Sequence, residues 1–366
     1  MTVLWSAGSL AVPPADLFAE TGGPALRVTE AGPQWVAGDV AAPLHLAPRL
    51  LVGGPGRADH AEVLERLATL EGRRAVQVAD GLAGEVLHPD PALLTALAAS
   101  SDVLASARAF NAWIAAFADS SEGAVAGVGI IPATGLDDAL RVLAECHQAG
   151  LRGVTLTHPP AGPGTAPGGE ALAFWTLAAE QGTVVCVNAA FGGAPLVDGP
   201  VVAPGRPAAV AGFLPRLAFA GVLDQVAGLR LLCVNLEAGW LPYVLESTDT
   251  NYLRTAGTRT FQLPDPDALP SEYLRRVLWC TFSEDRFAVL HRAFFGEHHL
   301  LWSGALPSDV SSWPDDEQAG HRMCAGLDDA AVARLLGDTC RRLFRLHGAA
   351  PLTGEEVEAF ARPVLA

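Results

Sequence analysis

Short apolar runs alternate with amphipathic segments along most of the chain. Apolar runs bounded by Gly or Pro predict buried strands, and segments with apolar residues at three- and four-residue spacing predict helices. The predicted strands are 2–7, 124–131, 151–156, 183–188, 229–235, 277–282 and 299–303, and the predicted helices are 61–70, 91–117, 136–148, 171–181, 214–226, 241–252, 287–295 and 328–346. A parallel sheet with crossover helices explains this alternation most economically.

The same pattern predicts how the chain is divided. Residues 20–58 are rich in Gly and Pro, and we expect a helical and loop insertion over 20–118. Residues 347–366 are predicted to form a C-terminal tail of one domain that spans residues 1–366. Periodicity alone does not separate a closed barrel from an open doubly wound sheet. No G-x-G-x-x-G or Walker-type loop follows a predicted strand, however, which disfavours a nucleotide-binding sheet.

Composition and charge narrow the class of protein. Half of the residues are hydrophobic and 17% are charged, which is typical of a compact globular protein. The formal net charge of −16 disfavours nucleic acid as a partner, because a polyanion would be repelled. The N-terminus has no basic region and no sustained apolar run, so we expect neither a signal peptide nor a membrane partner.

Two residue types add chemical constraints. The six cysteines lie far apart without a C-x-x-C pair, which favours buried, reduced thiols in a cytoplasmic protein. The chain contains no lysine. Schiff-base catalysis and covalent attachment of pyridoxal phosphate through a lysine are therefore excluded.

Several motifs resemble those of the amidohydrolase-related family, the metal-dependent hydrolases and decarboxylases built on a (β/α)8 TIM-like barrel. The motifs are G-L-R-G-V at 150–154, G-W-L-P-Y at 239–243, P-S-E-Y-L-R-R at 270–276 and the frame L-W…P…W-P at 301–314. They stand in the order and spacing of that family. The resemblance covers residues 105–346 well and the first hundred residues poorly, and it implies an α/β fold of the (β/α)8 barrel type.

The resemblance also shows where the family's metal ligands would stand. Those places hold Ser6, Gly8 and Leu10 on the first strand, Asn188 on the fifth, Asn235 on the sixth, and Ala305 and Ser308 after the eighth. A catalytic ion of the zinc kind needs about three protein ligands drawn from His, Cys, Asp and Glu. We therefore expect no tightly bound metal and no cofactor.

Other residues near the predicted strand ends are candidates for acid and base chemistry, because a barrel of this type carries its reacting groups there. His158 follows the fourth strand, and an imidazole titrates in a pH range that suits acid and base catalysis. A loop histidine without a catalytic role is an equally weighted alternative. Glu237 and Asp309 follow the sixth and eighth strands. Each is a candidate catalytic base, and each is alternatively a solvated loop acid.

A second group is predicted to bind substrate. Asn188 and Asn235 would direct amide donors at a carbonyl or enolate oxygen, or would only fill the space of a lost metal. Ser6 and Ser308 complete the polar set, and Trp279 would wall the pocket, although core packing is the favoured interpretation for it. Residues 283–285 are predicted to cap the helix that follows them.

Three hypotheses remain open. The first is a metal-independent enzyme that acts on a small aromatic or polyketide-like natural-product intermediate by cyclisation, isomerisation, dehydration or decarboxylation. The second is a non-catalytic binding subunit, a homodimer or a heterodimer with an active relative, because members of the resembled family often form dimers. The third is a metal-dependent hydrolase or decarboxylase with relocated ligands, which would require convergence among His45, His158, Glu237 and Asp309.

Overall fold

Eight parallel strands form a nearly closed barrel in the computed structural model, which describes residues 3–52, 59–193, 206–258, 263–265, 267–296, 298–346 and 348–353. In chain order, the strands of the barrel and of a second, smaller sheet are β1 (Leu4–Ala11), β2 (Ala25–Thr29), β3 (Gly32–Ala37), β4 (Val40–Pro43), β5 (Leu82–Pro89), β6 (Val125–Ile131), β7 (Gly153–Leu156), β8 (Val184–Val187), β9 (Arg230–Cys233), β10 (Leu278–Phe282) and β11 (Leu300–Trp302). The barrel order is β1-β5-β6-β7-β8-β9-β10-β11. The predicted (β/α)8 TIM-like fold is confirmed.

Helices cover the outside of the barrel and fill the connections. Their bounds are Pro48–Val52, His60–Leu67, Leu70–Ala79, Pro91–Leu97, Val103–Ser120, Leu136–Gln148, Leu172–Gln181, Ala208–Phe219, Val222–Gln225, Leu241–Arg254, Pro270–Val277, Arg286–Leu290, Arg292–Phe295, Asp316–Met323, Asp329–Ala333 and Thr339–Leu343. A π-helical turn, Arg334–Asp338, joins the last two. Within the described residues, no helix is long and apolar enough to cross a membrane.

The short strands are apolar on both faces because both faces are buried. Every residue of β8 is buried: Val184 and Cys186 join the cluster inside the barrel, and Val185 and Val187 join the cluster beneath the helices. Parallel strands covered by helices have this continuous apolar character. All six cysteines are free and buried.

The seam between β1 and β11 is closed by side chains and loops. Ser6 Oγ accepts a hydrogen bond from Gly304 N at 3.0 Å, and Leu10 N donates to Leu306 O at 2.7 Å. The guanidinium of Arg73, on the helix Leu70–Ala79, donates to the carbonyl oxygens of both leucines. This buried arginine therefore fastens the first strand to the loop that follows the last one.

The N-terminal third differs most from the sequence prediction. β2, β3 and β4 form a small antiparallel sheet, and the predicted helix 91–117 is two helices, the second of which begins after Asp102 caps it. The strand β5 was not predicted at all. The predicted tail from 347 onward lies largely outside the described residues, and the extent of the insertion and of the single domain stays a prediction.

Candidate active site

The ends of neighbouring strands bring polar residues to one face of the barrel, as parallel strands require. His158 follows β7, Asn188 follows β8, Asn235 follows β9 and Ser283 follows β10, while Ser303 follows β11. The sequence predicted this placement for the first three. The hydrogen bonds of each residue show whether its side chain is available to a ligand or holds the barrel together.

Asn235 links three strand ends through hydrogen bonds. Its Nδ2 donates to Gly8 O at 2.8 Å, and its Oδ1 accepts a bond of 2.7 Å from Ser303 Oγ. Its backbone N donates to Thr281 Oγ1 at 2.7 Å, and its φ of +54° is left-handed. Both ends of the amide are engaged, so Asn235 holds these strands in position, and its role as a substrate contact stays a prediction.

The close approach of β1 to this amide requires a glycine. A Cβ atom on Gly8 would lie 2.4 Å from Asn235 Oδ1 and 2.4 Å from Ser303 Oγ, well inside van der Waals contact. Gly8, Asn235 and Ser303, which we call the central cluster, are thus in direct contact with one another where β1, β9 and β11 converge.

Asn188 is bound at only one end of its amide. The residue is buried, and its Oδ1 accepts a hydrogen bond from Ala190 N at 3.0 Å, which fixes the turn after β8. Its Nδ2 donates to no group in the part of the chain that the structure describes. This amide hydrogen is therefore a candidate donor to a ligand oxygen.

Glu237 stands on the loop after β9 with a left-handed φ of +57°. Its carboxylate accepts hydrogen bonds from Ser283 N at 3.0 Å and Glu284 N at 3.4 Å, in the loop after β10. Burial raises the pKa of Glu237 more than these two bonds lower it, and the nearby charges of Asp285 and Glu284 raise it further. Non-glycine residues held in this region of φ concentrate at functional sites.

Asp285 holds the same pair of loops from the opposite side. Its Oδ2 accepts hydrogen bonds from Ala238 N at 2.8 Å and Gly239 N at 2.6 Å, and its Oδ1 accepts one from Ala288 N at 2.9 Å. The predicted capping of the next helix is confirmed by the Ala288 bond. The sequence did not reveal the second role, which is to fix the loop that carries Glu237.

His158 is half-buried at the end of β7. Its Nδ1 lies 3.2 Å from Thr157 Oγ1, and its Nε2 would lie 3.0 Å from a Cβ on Gly193, so the ring packs against the loop after β8. Burial lowers the pKa of His158 below its usual value. A lowered pKa favours the neutral imidazole, which is the form that accepts a proton.

Asp309 and Ser308 lie at the rim near the end of β5. Ser308 Oγ donates to Asp309 Oδ1 at 3.0 Å, and Asp309 N donates to His45 O at 3.1 Å. Asp90 follows β5 and caps the helix Pro91–Leu97 through Ala92 N at 2.6 Å. Burial raises the pKa of Asp90 to about 6, and the charge of Asp309 adds to this while His45 opposes it. Asp90 escaped the sequence prediction because β5 did.

Two predicted substrate-binding residues lie away from the mouth. Ser6 is fully buried, and its hydroxyl accepts hydrogen bonds from Ser9 Oγ and Gly304 N at the barrel seam. Trp279 is buried inside the barrel, where it donates to His298 O and stacks on His299 at 4.7 Å between ring centroids. Their roles are seam closure and core packing, and neither is retained as a substrate contact.

The donor set at the family's metal positions does not fit a divalent ion. Ala305 offers a methyl group, Asn235 Oδ1 is occupied by the Ser303 hydroxyl, and Asn188 Oδ1 is occupied by a backbone amide. Zinc and manganese sites draw on carboxylates, imidazoles or thiolates. Across the described ranges, no group of three or more His, Cys, Asp or Glu side chains converges to hold a metal ion.

Solved structures of amidohydrolase-fold enzymes have the same barrel. An amidohydrolase from Mycobacterium avium subsp. paratuberculosis aligns over 94% of this chain and 99% of its own, with a TM-score of 0.68 and 15% identity. The 5-carboxyvanillate decarboxylase from Sphingomonas paucimobilis aligns over 94% and 100% of the two chains, with a TM-score of 0.65 and 16% identity. The chain shares the barrel fold of these two enzymes.

A third solved structure with this barrel carries a metal and a ligand. It is a dihydroxybenzoic acid decarboxylase from Polaromonas sp. with bound manganese and 2-nitroresorcinol, which aligns over 94% of this chain and 97% of its own, with a TM-score of 0.65 and 14% identity. No family model matches the sequence, and no curated protein matches it. At such identities the likeness establishes the fold alone, so the chemistry has to be argued from this chain's own residues.

Proposed function

We propose that the chain is a metal-independent enzyme that binds a small aromatic or polyketide-like molecule at the barrel mouth and moves protons on it. The observation that carries this proposal is that Asn235 bonds to Gly8 and to Ser303, where Gly8 and Asn235 occupy two places at which the resembled family has metal ligands. His158 follows β7 and Glu237 follows β9, and their pKa values are shifted in opposite directions. Burial shifts both pKa values in favour of the uncharged forms, so the imidazole is able to accept a proton and the carboxyl group is able to donate one.

Each residue then has a defined role. Neutral His158 accepts a proton from the substrate, and Glu237, whose raised pKa favours the protonated form, donates one. Asn188 donates its Nδ2 hydrogen to a carbonyl or enolate oxygen, which stabilises the charge that develops there. Asp309 and Ser308 bind polar groups of the substrate at the rim. Cyclisation, isomerisation, dehydration and decarboxylation can each use proton transfer of this kind.

The solved neighbours support a small aromatic ligand. They include 5-carboxyvanillate and 2,6-dihydroxybenzoate decarboxylases, and several of the neighbours hold manganese. The fold is shared, and its mouth is the usual place for a ligand. The present chain differs in the donor set at that mouth, and the proposed chemistry differs accordingly.

Carbon-acid exchange tests this function without knowledge of the natural substrate. Chelator-treated protein is incubated in D2O with a panel of hydroxylated aromatics and 1,3-diketones, and deuterium incorporation is followed by NMR. We expect exchange that His158→Gln abolishes and that His147→Gln retains, because His147 lies in the last turn of the helix Leu136–Gln148, away from the mouth. Exchange that appears only after manganese or zinc is added would contradict the proposal.

A second candidate is a non-catalytic binding subunit, whose homodimeric or heterodimeric state stays a prediction, as does the cytoplasmic location. The carboxylate of Glu237 supports it, because Ser283 N and Glu284 N already engage that group. On this alternative, His158→Gln leaves ligand binding unchanged, and the wild-type protein shows no exchange with any member of the panel.

A further inference from the structure

Carboxylates dominate the charge at the barrel mouth. The acidic residues at or just after the strand ends are Asp90, Glu237, Glu284, Asp285 and Asp309. The segments at these ends are 9–12, 89–92, 132–135, 157–160, 188–193, 234–239, 283–285 and 303–309, and none of them contains an arginine. Since the chain has no lysine either, these segments carry no permanent positive charge.

The carboxylates are close enough to influence one another. Asp309 raises the pKa of Asp90 in addition to the effect of burial, and Asp285 and Glu284 do the same for Glu237. Asp309 and Glu284 are exposed, whereas the other three are wholly or partly withdrawn from solvent. The exposed carboxylates of Asp309 and Glu284 therefore carry the negative potential at these strand ends. Burial, together with the neighbouring charges, raises the pKa of Asp90 and Glu237, so a further negative charge is unfavourable there.

Two arginines that contact or directly follow these segments are engaged by other groups. Arg73 forms a bidentate, fully buried pair with Glu85 on the outer side of the barrel. Arg286 directs its guanidinium to the carbonyl oxygens of Met323 and Ala325. Neither group offers the mouth a counter-charge for an anionic ligand.

We infer that the mouth selects electrically neutral small molecules over carboxylates, an inference that rests on the proposed function of this site. A bound carboxylate would lose water and face like charges with no guanidinium, ammonium or divalent ion in the described site to compensate. A neutral phenol or enolisable carbonyl compound meets instead the Asn188 amide, the Ser308 hydroxyl and acceptor carboxylates. The reaction accordingly begins from an uncharged ring or carbonyl compound, which favours cyclisation, isomerisation or dehydration over decarboxylation.

Matched probes that differ only by a carboxylate test this selection. Binding of resorcinol is compared with binding of 2,6-dihydroxybenzoate, and binding of guaiacol with that of vanillate, by calorimetry and saturation-transfer NMR on the full chain. We expect each neutral probe to bind at least about tenfold more tightly than its carboxylate partner at low salt, with a smaller ratio at high salt.

Two charge-neutralising variants locate the effect. Glu284→Gln/Asp309→Asn removes two exposed charges from the rim, and we expect it to reduce the ratio several-fold by strengthening carboxylate binding. Asp119→Asn/Glu180→Gln removes two exposed charges from the last turns of the helices Val103–Ser120 and Leu172–Gln181, and should leave the ratio unchanged.

The binding results distinguish a failure of the charge selection from a failure of the proposed function. Carboxylates that bind as tightly as their neutral partners, or equal effects of the two double variants, overturn the inference and leave the proposed function standing. If no probe of either kind binds, the mouth is not a small-molecule site, and the proposed function is overturned together with the inference.

Discussion

Glu237 and Asp285 fasten two adjacent strand ends to each other in a reciprocal way. The Glu237 carboxylate, on the loop after β9, accepts hydrogen bonds from the backbone of the loop after β10. The Asp285 carboxylate, on the loop after β10, accepts two from the backbone after β9. Each acid therefore fixes the loop that carries the other, and the geometry of Glu237 depends on Asp285.

The first prediction concerns Asp285→Asn. The variant exchanges one acceptor oxygen for an NH2 group, so at least one of the amides of Ala238, Gly239 or Ala288 loses its partner. We expect a loss of about 1–3 kcal/mol of unfolding free energy in urea titrations. We also expect the pH profile of carbon-acid exchange to shift, because the loop that holds Glu237 is released. Asp102→Asn, which affects only a helix cap, should leave that profile unchanged.

The second prediction concerns the buried pair of Arg73 and Glu85. Burial alone would raise the pKa of Glu85, but Arg73 and Gln77 more than offset it and hold the pKa below its usual value. Removing one partner, as in Arg73→Met, leaves an uncompensated buried charge, and we expect a loss of about 3–5 kcal/mol in the free energy of unfolding.

Two further variants control the Arg73 experiment. Arg73→Met/Glu85→Gln should recover part of the lost stability, because it leaves no lone charge. Glu145→Gln breaks the Arg108–Glu145 pair, whose side chains are 39% and 43% exposed, and should cost less than about 1 kcal/mol. If Arg73→Met loses no more unfolding free energy than Glu145→Gln, Arg73 does not hold the first strand to the loop that follows the last one.

The third prediction is a pH dependence of stability. Asp80 and Asp316 are buried side by side, and Asp80 Oδ1 accepts a hydrogen bond from Asp316 N at 2.9 Å. Burial raises the pKa of both carboxyls, and the charge of Asp316 raises that of Asp80 further. Because the folded-state pKa values lie above the unfolded value of about 4, the folded state binds more protons, and this stability is lost as the pH rises through the raised pKa values.

Urea unfolding between about pH 5 and pH 8.5 measures that slope. We expect the stability of the wild type to fall with rising pH relative to Asp80→Asn, in which the shared proton is no longer needed. Asp137→Asn, on an accessible helix turn, should follow the wild-type slope. Parallel slopes for wild type and Asp80→Asn would show that the two carboxyls do not share a proton.

The fourth prediction tests the central cluster. Gly8→Ala places a methyl group against Asn235 Oδ1 and Ser303 Oγ, and we expect a loss of about 1–3 kcal/mol in unfolding free energy. Gly212→Ala, in the helix Ala208–Phe219 with no heavy atom within 4 Å of the added Cβ, should be neutral or stabilising. Equal effects of the two substitutions would mean that β1 does not approach Asn235 closely.

The sequence predicted the barrel because most of its strands are uninterrupted apolar runs. It missed β5 because Gly84, Glu85 and His88 interrupt the apolar pattern there. The two polar residues are tolerated in a buried strand because the folded chain supplies their partners: Arg73 pairs with Glu85, and His88 Nε2 lies 2.8 Å from Ala7 O. No local pattern reveals such distant partners.

The sequence predicted which strand ends carry the candidate residues, but it did not predict the hydrogen bonds that their side chains form. The motif frame placed Asn188, Asn235 and Ala305 correctly at strand ends, since the order of strands fixes which ends meet. The left-handed φ of Asn235 and the reciprocal link between Glu237 and Asp285 depend on contacts between separate loops. Sequence spacing carries no information about those contacts.

The metal content of the purified protein distinguishes a metal-independent active site from a metal-dependent one. The protein is purified without chelator, offered zinc, manganese and iron at near-equimolar amounts, dialysed and measured by elemental analysis. The account predicts far less than one metal ion per chain and unchanged carbon-acid exchange after treatment with EDTA. One tightly bound ion per chain that is lost in His158→Gln or Asp309→Asn would contradict it, and would show that the ligands of a metal-dependent hydrolase or decarboxylase have been relocated to those residues.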